Sequence, residues 1–229
     1  MPHLFYGKPD GEFIVLDAHE TQHLKVVRFG EKQEVFITDG EGKLYRCQIL
    51  KIGKNESIAQ IIESKERREK ILPVTLCVAS QHWERLRWLV EKAVEVGTAK
   101  IVVYKPSRGR SYSDKVEKIK LVIRNAAKQC ARCRFPELQV LDNLDLPVEP
   151  SQTFVLHQSG EPLTLAEAAR YKNIVVGPEG DFSESELKSL RSRYKLFSLG
   201  ETIFRFETAA LLVMGLMYFL NDPLEEGWS

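Results

Sequence analysis

Ile174-Val175-Val176-Gly177-Pro178-Glu179-Gly180-Asp181-Phe182 and, a short helical stretch later, Leu196-Phe197-Ser198-Leu199-Gly200-Glu201-Thr202-Ile203-Phe204-Arg205-Phe206 decide the fold. Each is a short apolar run that ends in a glycine-containing bend and feeds a helix. The first helix opens at Ser183 and the second runs over residues 207–220. Strand–bend–helix units in succession build an α/β sheet. Ligands of such sheets sit beyond the carboxyl ends of the strands, where no side chains cover the backbone. Both bends belong to that edge, and Gly177, Gly180 and Gly200 permit positive φ and close approach of a ligand to the main chain. The two bends are therefore expected to form one pocket.

Outward from this stretch, the same construction reaches back to residue 74. Strands are expected over 74–79, 101–104 and 153–156, with helices over 83–96, over 114–131 and from Thr164. Trp83, Leu86, Leu89, Val90, Ala93 and Val94 share one face at helical spacing, and Gly97 stops that helix. Asp17 with Glu20, Thr164 with Glu167 and Ser183 with Glu186 each have capping-box spacing. Residues 1–62 read differently. Strand runs at 12–16, 33–38, 44–52 and 57–62 are separated by a short helix at 17–27 and by turns at Asp39-Gly40-Glu41-Gly42 and Gly53-Lys54-Asn55. That is a small β-barrel in outline. The alternating charges of residues 63–70, followed by Pro73, mark a boundary. The expected division is a barrel domain over 1–70 and an α/β domain over 71–229.

With 43% hydrophobic and 28% charged residues, the 229-residue chain can bury a substantial core. Its formal charge of +1 conceals an asymmetry, since residues 105–134 hold ten Lys and Arg against Asp114 and Glu117, a net of +8. A basic segment on a near-neutral protein points to a local anionic partner, nucleic acid first. Arg108-Gly109-Arg110-Ser111 follows the strand ending at Tyr104, and arginine forks beside a glycine suit phosphate contact. The longest apolar run, 209–220, is short of the ~20 residues that span a bilayer, so it is expected inside the protein. Neither a secretion signal nor a disulfide framework is visible, which places the expected location in the cytoplasm.

Two motifs are set aside. His19-Glu20-Thr21-Gln22-His23 satisfies H-E-x-x-H, which on a helix can hold zinc. Here Glu20 is needed as a helix cap in a β-rich segment, and no metal is expected. Cys130-Ala131-Arg132-Cys133 fits C-x-x-C but falls at a helix end, the pole that disfavours a thiolate. Structural cysteines are expected there. No dinucleotide-binding or P-loop glycine pattern occurs.

At this point the chain resembles the RsmE family of ribosomal RNA uridine methyltransferases, within the SPOUT superfamily. The resemblance spans nearly the whole sequence: His23-Leu24-Lys25-Val26-Val27-Arg28, Lys92-Ala93-Val94-Glu95-Val96-Gly97, Ser107-Arg108-Gly109-Arg110, Ala126 through Arg132, Gly177-Pro178-Glu179-Gly180, and Leu199-Gly200 with Ile203, Arg205, Glu207, Thr208 and Ala209. It departs from the family pattern at Asp181, where a second glycine is usual, at Thr202 and Phe204, and at His3, where a basic residue is common.

The resemblance implies a PUA-like β-barrel followed by a SPOUT α/β methyltransferase domain with a trefoil knot, acting as a homodimer. It implies S-adenosylmethionine as methyl donor and N3 of a uridine in 16S rRNA, free or within the small ribosomal subunit, as acceptor. The donor would contact Leu156, His157, Gly177, Pro178, Glu179, Gly180, Leu199, Gly200, Ile203, Phe204, Arg205 and Thr208. Arg205 would stabilise the anionic imide formed as N3 loses its proton. Glu207 would orient Arg205 or accept that proton. Arg28, Arg108, Arg110, Arg132 and Arg134 would hold RNA. The alternative is a non-catalytic RNA-binding or ribosome-assembly protein, which would keep the basic surface without the donor pocket.

Overall fold

The computed structural model describes residues 3–221. They form two compact units, one holding the chain up to Lys70 together with Arg124–Phe135, the other Ile71–Ile123 and the chain from Pro136 onward. The stretch 124–135 lies within the sequence range expected for the second domain, yet it packs with the first unit.

The first unit contains β1 (Leu4–Tyr6), β2 (Lys8–Asp10), β3 (Phe13–Leu16), α1 (Ala18–Val26), β4 (Glu34–Thr38), β5 (Lys43–Ile52) and β6 (Ser57–Glu66). Its sheet has the order β1-β4-β5-β6-β3-β2. The two edge strands, β1 and β2, are separated in sequence by Gly7 alone, so the sheet curls back on itself as a barrel. A Cβ at Gly7 would lie 2.3 Å from Ile14, which is why the joint needs glycine. Phe5, Ile14, Leu16, Leu24, Ile37 and Ile49 fill the interior. The first half of the charged stretch expected as a domain boundary is strand: β6 continues to Glu66, with Glu63 beside Arg46 on β5 at 3.3 Å. Opposite charges on neighbouring strands favour pairing there.

Asp17 caps α1 by accepting from the Glu20 amide at 3.0 Å, as its spacing predicts. The reciprocal half of the box is missing. Glu20 is fully buried, and its carboxylate accepts from Lys128 Nζ at 2.6 Å and the Tyr6 amide at 3.2 Å. A buried carboxylate needs a counter-charge more than it needs to close a helix turn. The H-E-x-x-H glutamate is thus committed to Lys128, while His19 lies 3.3 Å from Asn125 Oδ1. Cys130 and Cys133 follow the end of a helix, as expected, and burial pushes the Cys133 thiol up.

The second unit contains β7 (Leu72–Val78), α2 (Trp83–Val96), β8 (Thr98–Tyr104), α3 (Val116–Gln129, whose last turns count with the first unit), β9 (Glu137–Leu141), β10 (Thr153–Pro162), α4 (Leu165–Ala168), β11 (Asn173–Val176), α5 (Glu184–Arg193), β12 (Lys195–Ser198) and α6 (Phe206–Leu220). Its sheet, β12-β10-β11-β7-β8-β9, is parallel throughout. Val155, Val175, Cys77 and Val102 stack across its centre, and Tyr104 donates to the Val176 carbonyl at 2.9 Å. Helix α2 buries Leu86, Leu89, Val90, Ala93 and Val94 and stops at Gly97 with φ 80. Strand β10 is longer than predicted and irregular. Leu156 and Glu161 both register with Phe197 of β12, so residues 157–160 bulge out between them. Gly160 makes this possible, because a Cβ there would lie 2.5 Å from the Leu196 and Phe197 backbone.

Candidate active site at the carboxyl edge

Three interruptions of the sheet converge on one cavity of about 460 Å³. The β10 bulge brings Leu156, His157 and Gln158; the bend after β11 brings Gly177, Pro178, Glu179 and Asp181; the bend after β12 brings Leu199, Gly200, Ile203, Phe204 and Arg205. The expectation that the two glycine bends lie side by side is met. Gly180, Glu207 and Thr208 do not border the cavity. Gly200 has φ 100 with open space around it, so its backbone conformation demands glycine. Gly177 is required by crowding instead, since a Cβ would lie 2.9 Å from the Phe182 ring.

Hydrogen bonds fix the wall. Glu179 accepts from Ser80 Oγ and from the Gln81 amide, each at 2.8 Å. Burial alone would raise its pKa, but these bonds outweigh it and hold the carboxyl below its ordinary range. Ser183 and Glu186 form the full capping box of α5, and Glu186 also accepts from the Ser107 amide at 2.6 Å. Its carboxyl is likewise held low against burial. Gln81 Nε2 donates to the Arg108 carbonyl at 3.4 Å, so the bends after β7, β8 and β11 are tied to one another. Asp181 adopts φ 62, a left-handed conformation in which Asp is one of the few tolerated side chains. That explains how it stands where a glycine is usual. Its carboxylate accepts from the Phe182 amide at 2.7 Å and lies 3.2 Å from His157 Nε2.

Arg205 is the N-cap of α6, exposed at the cavity and outside every ion pair among the described residues. Glu207 does not hold it. Two residues into the helix, Glu207 faces Arg85 of α2, with Nε 3.9 Å from Oε1, while its buried Oε2 lacks a hydrogen-bond partner among the described residues. Arg85 lines the cavity and was not singled out from the sequence; only its place in the first turn of a helix that starts at this edge could have flagged it.

The basic residues divide into two groups. Arg28, Arg108, Arg110 and Arg134 are exposed. Arg132 donates to the Lys70 carbonyl at 2.9 Å and lies 3.9 Å from Glu69. Arg124 and Lys128 pair with Asp17 and Glu20 inside the first unit. These three cations all lie in the basic run of residues 105–134, and Arg132 was among the expected RNA contacts, yet each is engaged inside the protein. Burial pulls the Lys128 ammonium below its ordinary value and Glu20 restores part of the difference.

Fold and cavity together fit an α/β protein of the RNA methyltransferase class, with a small β-barrel domain ahead of it in sequence. Residues 67–218 match the model of the RNA methyltransferase domain and residues 16–62 that of the RNA methyltransferase PUA domain. The chain belongs to this RNA methyltransferase family. It is 28% identical over 226 residues to ribosomal RNA small subunit methyltransferase E of Aquifex aeolicus, covering 94% of this chain and 98% of that one. It is similar in structure to a Thermotoga maritima protein described as a predicted RNA methyltransferase, at TM-score 0.81 and 34% identity over 95% of this chain and 98% of that one. The fold also matches ribosomal RNA small subunit methyltransferase E of Neisseria gonorrhoeae bound to S-adenosyl methionine, at TM-score 0.83 and 20% identity over 96% and 98% of the two chains.

Proposed function

We propose that this chain transfers a methyl group from S-adenosylmethionine to N3 of a uridine in 16S rRNA. The observation that carries the reading is the convergence of the Gly177 and Gly200 bends on one cavity with Arg205 at its rim. The cavity fits the donor: its volume is in the range of small-molecule sites, it offers main-chain groups at two bends, and Ile203 and Phe204 expose apolar surface to cover a flat ring. When bound, S-adenosylmethionine supplies a methyl group activated by its sulfonium. Leu156, Gly177, Leu199, Gly200 and Ile203 hold the donor, largely through the backbone, and His157 and Asp181 close one side. Uridine N3 must lose its proton, which passes to solvent, and Arg205 places positive charge where the imide becomes negative. Most of the remaining gain is orientation of the two reactants. We infer further that the chain works in the cytoplasm as a homodimer threaded as a trefoil knot. Exposed Trp88, Leu212 and Phe219 on α2 and α6 supply apolar surface for a second copy.

The test is labelled S-adenosylmethionine with small ribosomal subunits or 16S rRNA, followed by mass spectrometry of the nucleosides. N3-methyluridine is expected from the wild type. Arg205→Ala should retain donor binding by calorimetry and lose turnover by about 10²–10³-fold. No donor binding by the wild type, which the ribosome-assembly alternative requires, would overturn the reading. Normal turnover by Arg205→Ala would remove that residue from the mechanism.

A further inference from the structure

We propose that Trp83, backed by Tyr112 and flanked by Arg110, Lys115 and Lys118, is a stacking subsite for a nucleobase beside the target nucleotide. The proposal rests on the RNA methyltransferase reading but concerns residues outside the donor cavity. Trp83 is the first residue of α2, just beyond the carboxyl end of β7, and Tyr112 closes the bend after β8. Their ring centroids are 6.1 Å apart. Trp83, at the first turn of the apolar face of α2, is only half-buried, whereas Leu86, Leu89 and Val90 further along that face are fully buried.

Cations surround this aromatic pair. Lys118 Nζ lies 4.2 Å from the Trp83 ring centroid, Lys115 Nζ lies 5.5 Å from it and 5.7 Å from Tyr112, and Arg110 lies 5.9 Å from Tyr112. None of the three, nor Arg108, is in an ion pair among the described residues, whereas Lys120 on the same helix pairs with Glu117 at 2.7 Å. Uncommitted ammonium groups resting on an aromatic face are what single-stranded RNA readers present: a π-surface for the base and cations for its phosphates. An exposed cation–π contact is weaker than base stacking, so a base displaces Lys118 from the ring and frees its charge for phosphate. The platform is also tied to the cavity. Gln81, two residues before Trp83, donates its backbone amide to Glu179 of the cavity wall and its side-chain Nε2 to the Arg108 carbonyl.

The experiment uses the full chain and two fluorescently labelled oligomers of about ten nucleotides, one oligouridylate and one with abasic sugars. Trp83→Ala should weaken oligouridylate binding about tenfold or more and leave the abasic oligomer within about twofold of wild type. Lys115→Ala combined with Lys118→Ala should weaken both oligomers and flatten the salt dependence, by roughly 0.7 in the log–log slope per lysine. Trp83→Phe, which keeps a π-face in a similar volume, should recover most of the affinity and lose the RNA-dependent quenching of tryptophan fluorescence seen in the wild type. Equal loss of both oligomers in Trp83→Ala, unchanged affinity for both, or undiminished quenching in Trp83→Phe would overturn the subsite. Donor binding by each variant, measured alongside, should match wild type. Its absence from the wild type would instead count against the methyltransferase reading.

Discussion

Replacing Gly200 with alanine isolates one physical cost. Gly200 sits at φ 100, and a Cβ built there meets nothing within 4 Å, so the new methyl group clashes with no neighbour. What remains is the intrinsic penalty of an L-residue on the wrong side of φ, about 1–2 kcal/mol. If the fold bears that strain, the melting temperature falls by roughly 2–8 °C for a chain of this size. If the bend flips to escape it, the main chain around Leu199 and Ile203 leaves the cavity and donor affinity drops instead, by roughly 5- to 30-fold for the same energy. Thermal denaturation and calorimetry with S-adenosylmethionine together capture both routes. Gly200→Asn should be milder, because asparagine tolerates positive φ. Gly177→Ala should behave differently, with its cost appearing in stability as the Phe182 ring is pushed aside. A Gly200→Ala protein that melts and binds as the wild type does would refute the claim that this bend depends on its backbone conformation.

Lys128→Ala would leave Glu20 fully buried, with Arg124 at 3.6 Å as its nearest remaining cation. A loss of about 3–5 kcal/mol in urea denaturation is expected, and adding Glu20→Gln should recover much of it. Glu179, whose pKa is held low in the folded protein, contributes stability that is present above its unfolded pKa of about 4.3 and disappears as pH falls through the lower folded value. Glu179→Gln should therefore lose stability near neutrality and show a shallower decline below about pH 4. A residual slope should persist, because Glu186 is shifted in the same direction.

The parts of the fold legible in the sequence are those in which one residue type has one physical use. The apolar face of α2 and its stop at Gly97, the capping box of Ser183 and Glu186, and the buried strands β7, β8, β10 and β11 are of this kind. The edge strands β1 and β2 were missed because three residues on either side of a glycine, one of them Pro9, make no periodic pattern. The charged half of β6 read as a domain boundary because its partner charges on β5 are distant in sequence. At the site, the two bends were visible because glycine marks them. Arg85 was not visible, because a first-turn arginine acquires its role only when α2 is laid beside Glu207. The basic run of residues 105–134 was legible as charge but not as two populations. Only the fold separates Arg124, Lys128 and Arg132, which neutralise internal carboxylates or bind backbone, from exposed Arg108, Arg110 and Lys118 and half-buried Lys115, which are in no ion pair among the described residues.

The return of residues 124–135 to the first unit has a bearing on how the nascent chain matures. Thr38 Oγ1 and the Gly42 amide both donate to the Cys133 carbonyl, at 3.1 and 2.9 Å, and the Phe135 amide donates to Gly40 at 2.8 Å. The barrel, although encoded first, lacks these seams and the Lys128 charge until more than sixty further residues have been translated. Amino-terminal domains commonly settle while the remainder is still being made. Here the leading module must wait, half-assembled, for a segment delivered from inside its successor, and a fragment ending at Lys70 would keep the buried Glu20 without the Lys128 and Arg124 charges that answer it.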